Sequence, residues 1–573
     1  MQGKVIQRFK NNIIPFYILI AGIWYYSLYY NYDFNIADEG SVTLITIKLL
    51  NGEIPFKDII LGYNLFWFYP IVFLFKIFGV NFLILKIYFM FLALLSGTIS
   101  YLILTQITRK SYIAVLGSII IILVPGTLHK TYIPLICIAN IYFFLKITEG
   151  DPFRSTKKII LASIIISISL LVRVDLGIVC TLIIFSLLFL KIFFSEHDDK
   201  GRKISEKVIL FIRYFLIIVF TICVIHLPFI IVAHSQQFLT DFLQQYLNKI
   251  ILITKTLKRL NFLASTSSAK AVSDTYLSRV PIMALFFSEG KRLFSLLTYT
   301  PLLIFLITTI ALVSKIFGRL KDFPSIFTND TLKDCVLLFV PIAAFPQFFL
   351  FRPDLYHLSQ FMPGFLILVF YKISKAIEAI QSETILDNKT PLLKAKKYSI
   401  PALLLLFIYV GIYVYYAMAH NGAGTVVLRK PGDKLFNGKN GVIVYMNKSL
   451  STGFNHIMDV IEKYSDLDDY VLCYPYLPGI NVISGRNTYQ RRLYVDDATL
   501  IKQPNWLKKS IEEINQKKPA IIIYSDWAVN GTEISRFSNW AGKVKKHIDD
   551  GYHYYGQILG YNIYIRQKIF SAK

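Results

Sequence analysis

Charge is scarce in this 573-residue chain: 17% of its residues are Asp, Glu, Lys or Arg, 55% are hydrophobic, and the mean hydropathy is +0.52. Soluble domains carry roughly a quarter of their residues as charges, so a water-soluble core is excluded as the design of most of the chain. Acids are scarcer than bases, 36 against 61, which leaves a net charge of +25. A nucleic-acid partner would require those bases to cluster on one folded surface, whereas here they lie mostly between apolar runs, so no nucleic acid is expected. Cysteine is also rare. Four of the five, Cys137, Cys180, Cys223 and Cys335, sit inside apolar runs, and Cys473 stands alone in the polar tail, so neither a disulfide framework nor metal-ligand spacing is present. The sequence lacks a Gly-rich phosphate loop, a nucleophile elbow, an internal repeat and a low-complexity linker. The first apolar run lacks a small-residue cleavage site and is long enough to span, which predicts a retained first helix rather than a removed signal peptide.

Long apolar runs are what the chain does have. They fall near 12–30, 82–105, 111–125, 131–147, 158–173, 176–194, 208–233, 298–317, 335–351, 358–374 and 398–418. At about 20 residues per span these predict a mostly α, polytopic membrane protein with about eleven transmembrane helices. The run LFWFYPIVFLFKIFG (65–79) is short and aromatic, and is read as lying along the interface. Charge supports that reading. Without a crossing there, one side collects Lys4, Arg8 and Lys10, Arg109 and Lys110, Arg154, Lys157 and Lys158, Lys200, Arg202, Lys203 and Lys207, Arg319 and Lys321, and Lys394, Lys396 and Lys397. By the positive-inside rule that side is cytoplasmic, so the N-terminus is inside and the C-terminus outside. The predicted domains are a membrane domain, 1–419, with outer loops at 31–81 and 234–297, and an outward α/β domain, 420–573. Within the second loop, 236–260 has the mixed spacing of amphipathic surface helices. The tail alternates strand-like GVIVYM (441–446), YVLCYPY (470–476) and AIIIYSD (520–526) with helical NWLKKSIEEINQKK (505–518), and closes in a hairpin over 554–567.

The acids gather where the first span ends. In NYDFNIADEGSVTL (31–44), Asp33, Asp38 and Glu39 follow the apolar run and precede an amphipathic helix, with Asp58 further along the loop. Acids at this depth are costly unless they line a wet cavity or meet cations, which marks Asp38 and Glu39 as candidate catalytic residues. The alternative is that Asp38 caps the helix that follows, which accounts for one acid only. A second cluster, Arg352, Asp354 and His357 in FRPDLYHL, falls at the outer end of the ninth span, with a local ion pair as the alternative. Arg173 and Asp175 flank a break between two spans and read first as a buried structural pair, with a functional role as the alternative. His129 and Lys130 occupy a similar short connection. In the tail, YPYLPGINVISGRNTYQRR (474–492) offers Gly, Arg and aromatic residues suited to a glycan.

The order ADEG, amphipathic helix, NGEIPFKD (51–58), aromatic helix ending FGVN (78–81), and then Lys86 opening the next span resembles the first outer loop of GT-C membrane glycosyltransferases. The likeness is in particular to the protein mannosyltransferase and aminoarabinose transferase branch. It implies a sugar donor on a polyprenyl phosphate, a glycan, lipid or protein acceptor, inversion at the sugar, and a bacterial or archaeal plasma membrane as the setting. It also implies Asp38 as the acceptor's general base or orienter, supported by Glu39. Lys86, where family members often carry Arg, joins Arg352, His357 and Arg173 as candidates for the donor phosphate, with Asp58, Asp354, Lys130 and Asp175 in support. Lys or Arg would stabilise the anionic leaving group while the carboxylate takes the acceptor's proton. Mg²⁺ or Mn²⁺ is compatible with an acidic cluster, although Asp38 and Glu39 alone supply few ligands.

Two other classes stay open. A transporter or flippase for lipid-linked glycans would place charges deep in helices and break spans symmetrically, whereas these charges crowd the helix ends. A ligase using a lipid diphosphate donor is not built around acids after the first span.

Overall fold

The structure is a computed structural model that describes residues 2–126, 128–151, 155–194, 203–244, 247, 292–319, 327–344, 358–382, 392–421, 432–528 and 533–570. Most of the expected loop at 234–297, and the cluster Arg352, Asp354 and His357, lie outside the described residues.

Among the described residues, helices form over each of the eleven apolar runs. In chain order the helices up to residue 421 are α1 (Gln2–Ser27), α2 (Asp38–Leu50), α3 (Leu65–Phe78), α4 (Phe82–Thr108), α5 (Ser111–Leu123), α6 (Tyr132–Thr148), α7 (Thr156–Val172), α8 (Val174–Phe194), α9 (Ile204–Ser235), α10 (Arg292–Gly318), α11 (Asn329–Ala344), α12 (Met362–Ser382) and α13 (Leu392–Asn421). Among the described residues five stretches, in α4, α8, α9, α10 and α13, are long and apolar enough to cross a membrane singly. At 14 residues α3 is about 21 Å long, short of a hydrocarbon core of about 30 Å. The protein is a multi-pass membrane protein.

The chain divides into two compact units. The first comprises Met1–Tyr29, Phe89–Ser235 and Gln244–Leu428. Its helices turn apolar side chains outward, as lipid-facing helices must: Ile209, Phe220 and Ile231 of α9 are all more than half exposed. Inward polar groups satisfy themselves locally. Ser96, Ser100, Ser163 and Ser167 each donate to the carbonyl four residues back, and Asn140 donates to the Ser169 hydroxyl at 3.0 Å. Such bonds remove the cost of burying a hydroxyl or amide where no water competes.

The second unit comprises Tyr30–Tyr88, Gln236–Leu243 and Arg429–Lys573, so the first loop folds with the tail. The sequence alone divides the chain at 419, because hydropathy reports solvent and not packing partners. The tail holds β1 (Lys434–Asn437), β2 (Ile443–Met446), α14 (Lys448–Tyr464), β3 (Val471–Tyr474), α15 (Pro478–Ser484), α16 (Asp497–Lys502), α17 (Trp506–Lys517), β4 (Ile521–Ser525), α18 (Gly542–Gly551), β5 (Tyr552–Ile558) and β6 (Tyr561–Arg566). The main sheet has the order β3-β4-β6-β5, parallel between β3 and β4 and antiparallel elsewhere. Both parallel strands are nearly continuous apolar runs because both faces are covered. Leu472, Tyr474, Ile522 and Tyr524 pack against Trp506 and Ile514 of α17 and Val544 and Ile548 of α18.

Among the junctions that bind the loop to the tail, two lie at the approaches to α2. Residues 31–33 extend the β1–β2 ribbon: the Tyr445 amide donates to the Asn31 carbonyl and the Asp33 amide to the Tyr445 carbonyl, both at 2.8 Å. The start of α2 meets α15 where two glycines lie back to back. A Cβ on Gly40 would stand 2.5 Å from the Gly479 backbone, and one on Gly479 would stand 2.6 Å from that of Ile36. Only hydrogen fits there, and the Gly479 amide uses the closeness to donate to the Ile36 carbonyl at 2.8 Å. Gly479→Ala is therefore expected to destabilise the second unit by about 1–3 kcal/mol, because backbone cannot yield as a flexible side chain can. Gly542→Ala, whose added Cβ meets nothing within 4 Å, is the neutral control. Thermal unfolding of the two purified variants checks this, and equal melting temperatures would contradict it.

Candidate active site

Asn35 organises the entrance to α2. Its side-chain oxygen accepts from the amides of Ala37 and Asp38, both at 2.9 Å, and its own amide donates to Glu39 Oε2 at 2.9 Å. This is reciprocal capping, with Asn35 and Glu39 each satisfying backbone donors of the other's segment. These two amides are thus taken by Asn35, and Asp38 is the first residue of the helix rather than its N-cap. Both acids lie in the first turn, where the helix dipole favours negative charge.

Neighbours in sequence, the two acids occupy different surroundings. Glu39 is 9% exposed and stands 3.9 Å from Lys86 Nζ. Asp38 is half-buried and accepts a 3.0 Å hydrogen bond at Oδ1 from the Tyr476 hydroxyl. The Tyr476 ring meets that of Tyr494 edge-on, with centroids 4.9 Å apart, and Tyr494 donates to Asp496 at 2.9 Å. Burial raises the Tyr476 phenol well above its ordinary range, and the charge of Asp38 raises it further, so the phenol keeps its proton and acts as donor to the carboxylate.

Lys86 is 4% exposed, and its ammonium donates to the carbonyls of Tyr32 and Asp33, each at 2.6 Å. It therefore ties down the loop ahead of α2. Asp33 has a left-handed backbone, φ 61°, and its carboxylate accepts from the next amide, that of Phe34, at 2.7 Å. Asp58 closes the turn over 54–58, its carboxylate accepting from the Ile54 amide at 2.8 Å. The Tyr32 hydroxyl donates to Asp433.

The other candidates belong to the first unit. Arg173, ending α7, donates Nε and Nη2 to the Asp175 carboxylate at 3.1 to 3.3 Å and lies over the Phe361 ring at 5.7 Å. His129 and Lys130 are buried on a single 3-10 turn, Leu128–Lys130. Among the described residues, no group of three His, Cys, Asp or Glu side chains is placed to hold a metal ion.

No family model and no curated protein matches the chain. Solved structures do match, among them two of one protein. Over 96% of this chain and 97% of its own, the crystal structure of ArnT from Cupriavidus metallidurans bound to undecaprenyl phosphate aligns with 12% identity and a TM-score of 0.48. The apo structure of the same protein aligns over 98% of each chain with 12% identity and a TM-score of 0.46. The chain is similar to ArnT in outline.

One residue of this site escaped the sequence analysis: Asn35, which carried a local signal, an Asn just ahead of a helix start, which reads as a cap. Tyr476 fell within the segment 474–492 read as suited to a glycan, but its pairing with Asp38 carried no local signal, since the two lie 438 residues apart.

Burial raises the Glu39 carboxyl above its ordinary 4.5, while the charge of Lys86 and the bond from the Asn35 amide act in the opposite direction. The folded protein then holds this proton to higher pH than the unfolded chain does, so its contribution to stability is greatest at low pH and falls as pH rises through the carboxyl range. Glu39→Gln removes that dependence. Its melting temperature relative to the unaltered protein is expected to climb as pH rises from about 4.5 and then level off. A difference flat in pH would show that Glu39 does not titrate differently on folding.

Proposed function

We propose that this protein is an inverting glycosyltransferase that moves a sugar from a polyprenyl phosphate to an acceptor on the extracytoplasmic side of the membrane, with Asp38 as the acceptor's base. The observation that carries this reading is the division of labour at the start of α2. Asn35, Glu39 and Lys86 hold the loop, and Asp38 projects from the first helical residue with Tyr476 fixing its carboxylate. A carboxylate held in this way loses little freedom when an acceptor hydroxyl or amine docks against it.

In the reaction the acceptor's oxygen or nitrogen forms a bond to the anomeric carbon as the bond from that carbon to the phosphate oxygen breaks. The acceptor's proton passes to Asp38, and the polyprenyl phosphate leaves with the electron pair. Attack opposite the leaving group inverts the anomeric centre. The donor class is inferred from the residue pattern of the first loop. For the leaving phosphate we propose the cations Arg173 and Arg352, with His357 orienting the phosphate or the sugar and Lys130 in support. Lys86 serves that group indirectly by holding the carbonyls of Tyr32 and Asp33.

Asp38→Asn is expected to lower transfer by about 10²-fold or more while leaving donor binding and melting temperature in place. Tyr476→Phe, which removes one hydrogen bond to the base, should cost roughly tenfold. Transfer assays on purified protein with a polyprenyl-phosphate sugar check both. Normal turnover by Asp38→Asn would remove Asp38 from the chemistry.

The sidedness is tested separately, because the basic loops place residue 203 inside and the tail outside. A cysteine substituted for Asn505 is expected to react with an impermeant thiol reagent in intact cells, and one substituted for Lys203 only after lysis. The opposite pattern would reverse the topology.

A further inference from the structure

Between the end of β3 and α17 the second unit contains a cleft of about 490 Å³, open mouth included, whose lining includes Tyr474, Gln490, Arg492, Gln503 and Trp506. Tyr474 and Trp506 give it an apolar wall, their rings edge-on with centroids 5.9 Å apart. Gln490 is buried and Gln503 half-buried. Each of these amides offers both a donor and an acceptor, which suits hydroxyl groups.

The charges lining the cleft are unbalanced. Arg491, Arg492 and Lys509 face a single acid, Glu513, which Lys509 already approaches to 3.9 Å. The Arg491 guanidinium donates to the Phe56 carbonyl at 3.2 Å, which fixes it at the rim. Arg492 differs. Its Nε is buried and has no hydrogen-bond acceptor among the described residues. Burial also holds its guanidinium below the ordinary range, with Asp496 opposing. Arg492 as a whole is half-buried, and an anion entering the cleft would offset the cost of its poorly solvated charge.

The cleft shares backbone segments with the candidate base. The Val495 amide donates to the Pro475 carbonyl at 3.0 Å, which locks segment 490–496 to segment 474–476. Those same segments carry the Tyr476 and Tyr494 rings beside Asp38. The wall of the cleft and the surroundings of Asp38 are thus built from the same two segments.

We propose that this cleft binds an acidic sugar residue, with Arg492 taking its carboxylate or phosphate and Gln490 and Gln503 its hydroxyls, and that this residue belongs to the acceptor. The acceptor role rests on the transferase reading; the binding does not.

Calorimetric titration of the full-length protein in detergent with glucuronate, glucose 6-phosphate, glucose and inorganic phosphate tests the proposal. Saturable binding of at least one acidic sugar is expected, with glucose and inorganic phosphate weaker by about tenfold or more. Preference between glucuronate and glucose 6-phosphate identifies the anion. Arg492→Gln should lose about tenfold in affinity and Gln503→Ala less, with melting temperatures checked for both. Arg492→Lys, which keeps the charge and lacks the fork, should fall between Arg492→Gln and the unaltered protein. The titration contains no lipid donor and needs no turnover, so failure of the transfer chemistry and failure of the cleft are separable. Absence of binding by both acidic sugars would overturn the proposal. So would equal affinity for inorganic phosphate, which would make this a free-phosphate site, or undiminished binding by a folded Arg492→Gln protein.

Discussion

Two backbones in contact through glycine hold the candidate site together. Gly40 and Gly479 leave no room for a methyl group between α2 and α15, and the Gly479 amide reaches the Ile36 carbonyl across that contact. This closeness delivers Tyr476, just ahead of α15, to the first residue of α2. Were the helices held apart by side chains, the 3.0 Å bond between Tyr476 and Asp38 could not form. The Asn31 to Asp33 pairing with Tyr445 fixes the other end of the same loop, so α2 is held at both approaches.

Within that frame the two adjacent acids take different roles for reasons of position alone. Glu39 turns toward Lys86 and the Asn35 amide, where its charge is offset at a cost in desolvation. Asp38 keeps a half-buried carboxylate with a phenol as donor. Asn35 takes the amides of Ala37 and Asp38 at the helix entrance, so the capping role that the position of Asp38 suggests for the acid is filled by Asn35. Lys86 contributes through the carbonyls of Tyr32 and Asp33, so a cation beside two acids acts first on the backbone.

The first unit distributes its polar groups differently. Its exterior is apolar, and several interior serines donate within their own helices, while bonds such as Ser118 to the Gly97 carbonyl and Tyr26 to the Ile122 carbonyl join one helix to another. The Arg173 and Asp175 pair joins the end of α7 to the start of α8 where the helices break. In the second unit, the bonds that join Asp38 to Tyr476 and Lys86 to the Tyr32 and Asp33 carbonyls connect residues far apart in the chain.

What the sequence determined by itself is what local pattern controls. Backbone groups in an apolar solvent must bond within their own segment, so each long apolar run had to become a helix, and among the described residues each did. Period and turn residues likewise marked the strands at 443–446, 471–474 and 521–525, the helix at 506–517 and the closing hairpin. The acids at 38 and 39 stood out because charge next to a span is costly. Tertiary structure alone decided the rest: that the loop at 31–81 packs with the tail, that Glu39 faces Lys86 while Asp38 faces Tyr476, and that Arg492 lines a cleft with Trp506. Each of these depends on contacts between segments brought together by shape, above all the glycine pair, and no periodicity or composition encodes which distant segment will fill a given face.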